Sequence, residues 1–164
     1  MQETFKSRKP VYYNDIVEYR VVDGDTVELT IDLGYKCLKK VTLRLRDIDT
    51  PELKSKNPLE REAADLAKAA LNIMLEEAKG ARIELESNQL DMYGRAVGSI
   101  FLFKFMTSVN SLLIKTGLAK VHIGSSARAP WKDEDLQQFP AKFNKFVNEK
   151  EKILNENVEN YKHF

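Results

Sequence analysis

Three short segments, far apart in this chain, gather acids and arginines of the kinds that cleave a phosphodiester with the help of a metal. The first is Val22-Asp23-Gly24-Asp25-Thr26-Val27. The second is Leu43-Arg44-Leu45-Arg46-Asp47-Ile48-Asp49-Thr50-Pro51-Glu52, and the third Asp91-Met92-Tyr93-Gly94-Arg95. Asp25 and Asp49 are hard carboxylate donors, and the Thr50 backbone carbonyl adjoins the second. Such oxygens, with water, suit calcium or magnesium, and the lack of a His/Cys cluster disfavours zinc. Glu52 is then a spare carboxylate able to accept a proton from an attacking water, which the metal can acidify or orient. Arg44 and Arg95 offer permanently charged planar forks that match two phosphate oxygens and neutralise charge growing on a pentacoordinate phosphorus.

Taken singly, each piece has an ordinary explanation. Asp-Gly-Asp is also a turn carrying two acids, and Asp-Thr-Pro-Glu also marks a strand end or helix start. Either arginine can be a surface ion pair, and Glu52 can open a helix or partner an arginine. Both acidic segments, however, fall at strand ends. Ile16 to Val22 is rich in β-formers. Val27, Leu29 and Ile31 alternate with Glu28, Thr30 and Asp32, and Val41, Leu43 and Leu45 alternate with Thr42, Arg44 and Arg46. Period-two alternation of this kind predicts half-buried strands, joined here by a hairpin loop at Asp32-Leu33-Gly34-Tyr35. Arg44 lies on the face opposite the apolar residues of its strand. Asp49 has the other parity, so the chain must bend or bulge within Arg46-Asp47-Ile48-Asp49 for both to reach one site.

A helix follows, with Asn57 as its cap, Pro58 at its first position and Glu60 at capping-box spacing. Its apolar stripe runs through Leu59, Ala63, Leu66, Ala67, Ala70, Leu71, Met74, Leu75 and Ala78, and Gly80 ends it. Ile83 and Leu85 mark a fourth strand and Ala96 to Phe103 a fifth, with Asp91–Gly94 as a turn that delivers Arg95. Ser108 to Thr116 is a short helix stopped by Gly117. From about Trp131, Leu136, Phe139, Phe143, Phe146, Val147, Ile153 and Leu154 recur at helical spacing, with Pro140 splitting the run or starting its second half. The order β-β-β-α-β-β followed by helices fits an α+β, mainly β protein: a five-stranded OB-fold barrel with about three packed helices. The expected organisation is an N-terminal extension over 1–15, a barrel core over 16–124 and a helical segment over 125–164 packed on the same domain.

The 164 residues suit one domain with a real core. A net charge of +1 argues against a non-specific grip on nucleic acid over the whole surface, and leaves room for a local phosphate site. Cys37 is alone, which excludes an internal disulfide and a cysteine zinc site. His122 and His163 are far apart, so Cys37 is expected to be structural rather than a nucleophile. No apolar run approaches the ~18 residues of a membrane span. Met1 to Pro10 lacks the apolar stretch of a secretory signal, which points to the cytoplasm; a secreted or phage-released form would fit the same residues.

The three segments, together with Thr-Gly-Leu-Ala-Lys-Val (116–121), closely resemble the staphylococcal nuclease (thermonuclease) family, in the same order and spacing from about Val21 to Val121. The resemblance implies an OB-fold and calcium-dependent endonucleolytic hydrolysis of DNA and RNA with little sequence preference. Water would attack phosphorus and expel the 5′-oxygen, leaving 3′-phosphate ends. It implies Asp25 and Asp49 as calcium ligands through carboxylates and Thr50 through its carbonyl. Arg44 and Arg95 would bind and stabilise the phosphate, Glu52 would be the general base, and Tyr93 and Lys54 would contact substrate. Partners would be DNA or RNA, with no membrane, and the protein a monomer. The chain departs from the family at Met92, where a lysine is common, and at His122-Ile123-Gly124, where tyrosines flank the nucleotide. Its 53–57 loop is shorter, and the tail after Val121 does not follow the pattern. These departures bear on base preference and on the choice between DNA and RNA. The alternative is a non-catalytic OB-fold module binding nucleic acid or protein, though such modules use exposed aromatics and basic grooves that are sparse here. Calcium is scarce in a cytoplasm, so export, release on lysis or another divalent ion would each reconcile the chemistry with the location.

Overall fold

The computed structural model describes residues 11–124 and 127–161. The polar N-terminus read above, Met1 to Pro10, lies outside the described residues. The elements are β1 (Tyr12–Asp23), β2 (Thr26–Asp32), β3 (Leu38–Leu45), β4 (Ile48–Asp49), α1 (Pro58–Glu77), β5 (Ile83–Leu90) and β6 (Ala96–Leu102). After them come β7 (Thr107–Ser108), α2 (Val109–Lys115), β8 (Lys120–Val121), α3 (Asp133–Gln137), α4 (Phe139–Asn148) and α5 (Lys150–Tyr161).

Five strands close a barrel. β1 pairs antiparallel with β2 and with β5, β2 with β3, and β5 with β6, while β3 and β6 seal the ring in parallel. This is a five-stranded OB-type barrel of the α+β, mainly β class. The alternation expected along β2 and β3 is realised, with Val27, Leu29, Ile31, Leu43 and Leu45 buried. Leu85, Ile100 and Leu102 complete the interior from β5 and β6. The α1 stripe closes the core with Ala63, Ala67, Ala70, Leu71, Met74 and Leu75 all buried, and the small alanines let the helix lie close to the barrel. Burying a Leu or Met side chain of this kind contributes about 1.5–3 kcal/mol.

Several expectations are adjusted. β1 begins at Tyr12, ahead of Ile16, because Tyr12–Asp15 find partners in Ser87–Glu84 of β5. The apolar tail folds as three helices, α3 to α5, with Pro140 in the first turn of α4, where its missing N–H is harmless. Leu136, Phe139, Phe146 and Leu154 join the main core, whereas Val147 is exposed. Cys37 is exposed in the β2–β3 hairpin, so its thiol packs no core; its backbone N–H donates to Gly34 O at 2.9 Å. None of the described helices is long and apolar enough to cross a membrane.

Three features of this frame aim side chains at one place. The parallel β3–β6 register sets Arg44 beside Val97, so the two-residue period puts Arg95 on the same outward face as Arg44. Asp47 takes φ 60°, a left-handed turn uncommon for a non-glycine residue, immediately before β4. That turn supplies the parity change which Arg44 and Asp49 require. β4 then pairs with β8, setting Asp49 against Lys120, and the His122 N–H ties down Asp47 O at 2.9 Å.

Candidate functional site

The Asp23-Gly24-Asp25 turn between β1 and β2 presses on α1 and on Thr50. A Cβ on Gly24 would lie 2.9 Å from both the Ala67 Cβ and the Thr50 Oγ1, so only glycine allows this approach. The Asp25 carbonyl accepts the Leu45 N–H at 2.8 Å, which fixes the turn against the end of β3. Its carboxylate, almost fully buried, meets the Arg44 guanidinium at 3.1 Å and accepts a hydrogen bond from the Thr26 hydroxyl at 3.0 Å.

Arg44 is itself only 8% exposed. Its Nη1 donates to Leu45 O at 2.8 Å and its Nη2 to Ile48 O at 2.9 Å, in addition to the Asp25 contact. The guanidinium therefore bridges the end of β3, the turn at 46–47 and the Asp25 loop. Burial pushes its pKa down; the Asp25 charge opposes that, and the positive charges of Arg128 and Arg95 add to it. The influence of Arg95 places that side chain within electrostatic reach of Arg44. Arg95 is held by Asp91, whose Oδ1 accepts the Arg95 and Tyr93 backbone N–H groups, each at 2.9 Å, and whose Oδ2 accepts Arg95 Nε at 2.7 Å. Burial raises the Asp91 pKa, but these hydrogen bonds outweigh it and leave the carboxyl below its ordinary value. The Arg95 guanidinium also stacks 5.5 Å from the centroid of the exposed Tyr93 ring.

Asp49 and Thr50 are buried, at 2% and 1% exposure. Among the described residues, Asp49 Oδ1 and Thr50 Oγ1 are buried oxygens without a hydrogen-bond partner. Burial pushes the Asp49 carboxyl pKa up; Arg128 and Lys120 pull against this, and the Asp25 charge reinforces it. Asp23 is raised for the same leading reason, with the Asp25 and Glu52 charges adding. The acids from the first two segments are thus electrostatic neighbours. Among the described residues no three His, Cys, Asp or Glu side chains cluster as a ready-made metal cage. The set that fits a hard cation is smaller: the Asp25 and Asp49 carboxylates with the Thr50 carbonyl, leaving positions for water or substrate oxygens. The underpartnered Asp49 oxygen is what such a cation would satisfy.

Glu52 is exposed, beside this pair. Its position is set by Glu60, which was expected to fold back on the helix cap. Asn57 does cap α1, accepting the Leu59 N–H at 3.0 Å. The Glu60 carboxylate turns away from it, accepting the Ser55 hydroxyl at 2.6 Å and the Glu52 N–H at 3.2 Å. The Ser55 hydroxyl takes the Asn57 N–H at 3.2 Å, so the reciprocal half of the capping box is already occupied.

Two further cations, unassigned by the sequence reading, complete the cluster. Arg128 Nη1 lies 3.1 Å from Glu52 Oε1 and 3.3 Å from Asp49 Oδ1. Lys120 Nζ lies 3.8 Å from Asp49 Oδ2, donates to Ala129 O at 2.7 Å and sits 4.3 Å from the centroid of the Trp131 ring. Arg128, Asp49 and Glu52, with Thr50, Glu60 and Trp131, line a cavity of about 220 Å³. Of the residues named from sequence, Asp25 pairs with Arg44, Arg44 holds the Ile48 carbonyl next to Asp49 and Thr50, and Arg128 joins Asp49 to Glu52. Arg95 and Tyr93 flank them. Lys54 is exposed on the loop before α1 and forms no ion pair among the described residues. The Asp49–Lys120 register was hidden in the sequence, although Lys120 stands inside the 116–121 motif; nothing local marked Arg128.

The fold and site define a closed OB-type barrel carrying buried acids and two arginines near the seam of β3 and β6. A family model for staphylococcal nuclease homologues matches residues 42–158. That is well over half of the 164 residues, and the chain belongs to this family. The match takes in Arg44, Asp49, Thr50, Glu52, Arg95 and most of the helical tail, which the sequence comparison above had left out. It begins after Asp25, whose place in the site rests on its contact with Arg44.

Proposed function

We propose that this protein is a divalent-cation-dependent nuclease, with calcium as the preferred ion, that hydrolyses DNA and RNA phosphodiesters with little sequence preference and leaves 3′-phosphate ends. The observation that carries the reading is that Arg44 ties Asp25 to the Ile48 carbonyl beside Asp49, and Arg128 ties Asp49 to Glu52, gathering acids from segments that are separate in sequence. The Asp25 and Asp49 carboxylates and the Thr50 carbonyl would hold the cation. When bound, the ion supplies Lewis-acid polarisation of the phosphate and a lower pKa for an attacking water.

The remaining steps belong to the chain's own residues. Arg95, extended on its Asp91 clamp, and the free N–H groups of Arg44 take the non-bridging phosphate oxygens and stabilise charge as it builds. Glu52, 59% exposed at its side chain, accepts the proton of the attacking water. Tyr93 and Lys54 contact the flanking nucleotides. One feature favours a binding module without catalysis: the Arg128 guanidinium already occupies both Glu52 and Asp49.

One assay separates the two readings. Supercoiled plasmid and single-stranded RNA are incubated with wild type and Glu52→Gln, in calcium, magnesium or chelator, and product ends are mapped. The nuclease reading predicts calcium-dependent loss of both substrates, 3′-phosphate ends and a drop of at least ~10²-fold in Glu52→Gln, from the usual weight of general-base catalysis. Retention of both substrates in every ion, with a gel shift, would replace it by the binding module.

A further inference from the structure

Arg128 differs from the two arginines of the proposed phosphate site in how firmly it is held. Arg44 is locked by two backbone carbonyls and a buried carboxylate, and Arg95 by two bonds to the Asp91 carboxylate. Arg128 lies in the irregular segment before α3, its side chain is 38% exposed, and among the described residues its ion-pair partners are Asp49 and Glu52. One nitrogen, Nη1, serves both acids. Its contact with Asp49 Oδ1 is an ion pair without hydrogen-bond geometry, so that oxygen remains poorly satisfied. Both partners are groups to which the nuclease reading gives other tasks.

We propose that Arg128 is a switching counter-ion that couples cation loading to strand binding: it competes with the divalent cation for Asp49, and once displaced it releases Glu52 and turns to a phosphate of the bound strand. This rests on the reading of Asp25 and Asp49 as the cation pair. A guanidinium and a hard cation cannot both occupy Asp49 Oδ1, so either one weakens the other. Displaced from the acids, the side chain stays close to Arg44, since Asp49, 3.3 Å from Arg128 Nη1, directly follows Ile48, whose carbonyl Arg44 holds at 2.9 Å. The phosphate bound there is the acceptor that replaces its lost carboxylates. Lys120, bonded to Ala129 O next to Arg128 in sequence, keeps the segment over the cavity while the side chain turns. Because binding free energies are reciprocal, a strand that draws Arg128 away must tighten the cation by the same factor as the cation tightens the strand.

The single tryptophan, Trp131, lines the same cavity and serves as the probe. Calcium is titrated into the full chain by Trp131 fluorescence and by calorimetry, with and without a phosphorothioate-linked hexathymidylate, for wild type, Arg128→Gln and Arg128→Lys. In wild type the oligonucleotide should tighten calcium several-fold. Arg128→Gln should bind calcium alone up to about fivefold more tightly, the scale of a half-exposed ion pair, and show a smaller gain from the oligonucleotide. Arg128→Lys should resemble wild type. Equal calcium affinity and equal coupling in wild type and Arg128→Gln would overturn the proposal. Tighter calcium with full coupling retained would overturn it too, since the guanidinium would then compete without passing to the phosphate. Failure of calcium to bind any of the three proteins would instead sink the cation-site reading, and this inference with it.

Discussion

Replacing Arg44 with alanine should destabilise the whole domain as well as damage the site. Its ion pair with Asp25 is 3.1 Å long, and the two side chains are 10% and 7% exposed. Solvent screening, which reduces surface pairs to about 0–1 kcal/mol, is largely absent at such burial. In Arg44→Ala the Asp25 carboxylate stays buried with the Thr26 hydroxyl as its remaining side-chain partner, and the Leu45 and Ile48 carbonyls lose a charged donor. Breaking a buried pair from one side costs about 3–5 kcal/mol, against a total stability for a domain of about 5–15 kcal/mol. For a chain of this size each kcal/mol moves Tm by about 2–4 °C, so a fall of roughly 6–20 °C is expected.

The double variant Asp25→Leu/Arg44→Met removes both charges and should recover most of that loss, because neither partner is left uncompensated. The Leu45 N–H to Asp25 carbonyl bond is a backbone contact and survives in every variant, so the register of β3 is not at issue. Urea unfolding, followed by far-ultraviolet circular dichroism and by Trp131 fluorescence, gives the comparison if the two transitions coincide. A loss below about 1 kcal/mol in Arg44→Ala would refute the argument, since that is the range of exposed pairs. A double variant no more stable than the single would refute it equally.

Glu60→Ala should leave the barrel intact and loosen Glu52: two bonds at a partly exposed site are worth about 1–2 kcal/mol together, and a catalytic group displaced by about 1 Å can lose ~10²-fold in rate. A normal turnover rate in that variant would show that Glu52 is positioned by something else. Asp49→Asn should raise the Tm of the protein in chelator while abolishing any stabilisation by calcium. Burial lifts the Asp49 pKa above its unfolded value, so the stability this carboxyl contributes is present below the ordinary carboxylate range and is lost as pH rises through the folded value. At neutral pH the ionised form opposes folding, and thermal scans from pH 4 to 8 should show the gain in Asp49→Asn growing with pH; a constant or reversed difference contradicts the assignment.

Much of this architecture is legible in the sequence because it depends on local periodicity. Val27, Leu29, Ile31, Leu43 and Leu45 are inside because alternation allows one face only, and the α1 stripe is inside because its spacing is helical. Even the kink between Arg44 and Asp49 follows from parity, and Asp47 supplies it. Glu60 was misjudged because a capping box is defined by spacing alone. Whether the carboxylate turns to its own helix or to the loop depends on Ser55, whose hydroxyl reaches the Asn57 N–H first. The tail divides at Gln138 and Glu149, positions with neither glycine nor proline, where packing of Phe139, Phe146 and Leu154 on the core overrides local preference.

Arg128 and Lys120 stayed hidden for a different reason: no local pattern relates them to residues some seventy positions earlier. Only the β4–β8 pairing and the irregular segment after β8 bring them to Asp49. Their presence follows from the chemistry of the acids. A pair of buried carboxylates is poorly solvated, and burial pushes the Asp49 pKa up. A fold that keeps such a pair can supply compensating charge from side chains able to leave. A buried, carbonyl-locked arginine such as Arg44 cannot withdraw without breaking the turn it holds, whereas Arg128 and Lys120 stand on the rim, one-third or more exposed, with flexible stems. The division of labour among the cations follows from exposure: buried Arg44 builds the site, Lys120 anchors the segment beside it, and Arg128 is the one whose release the switching proposal requires.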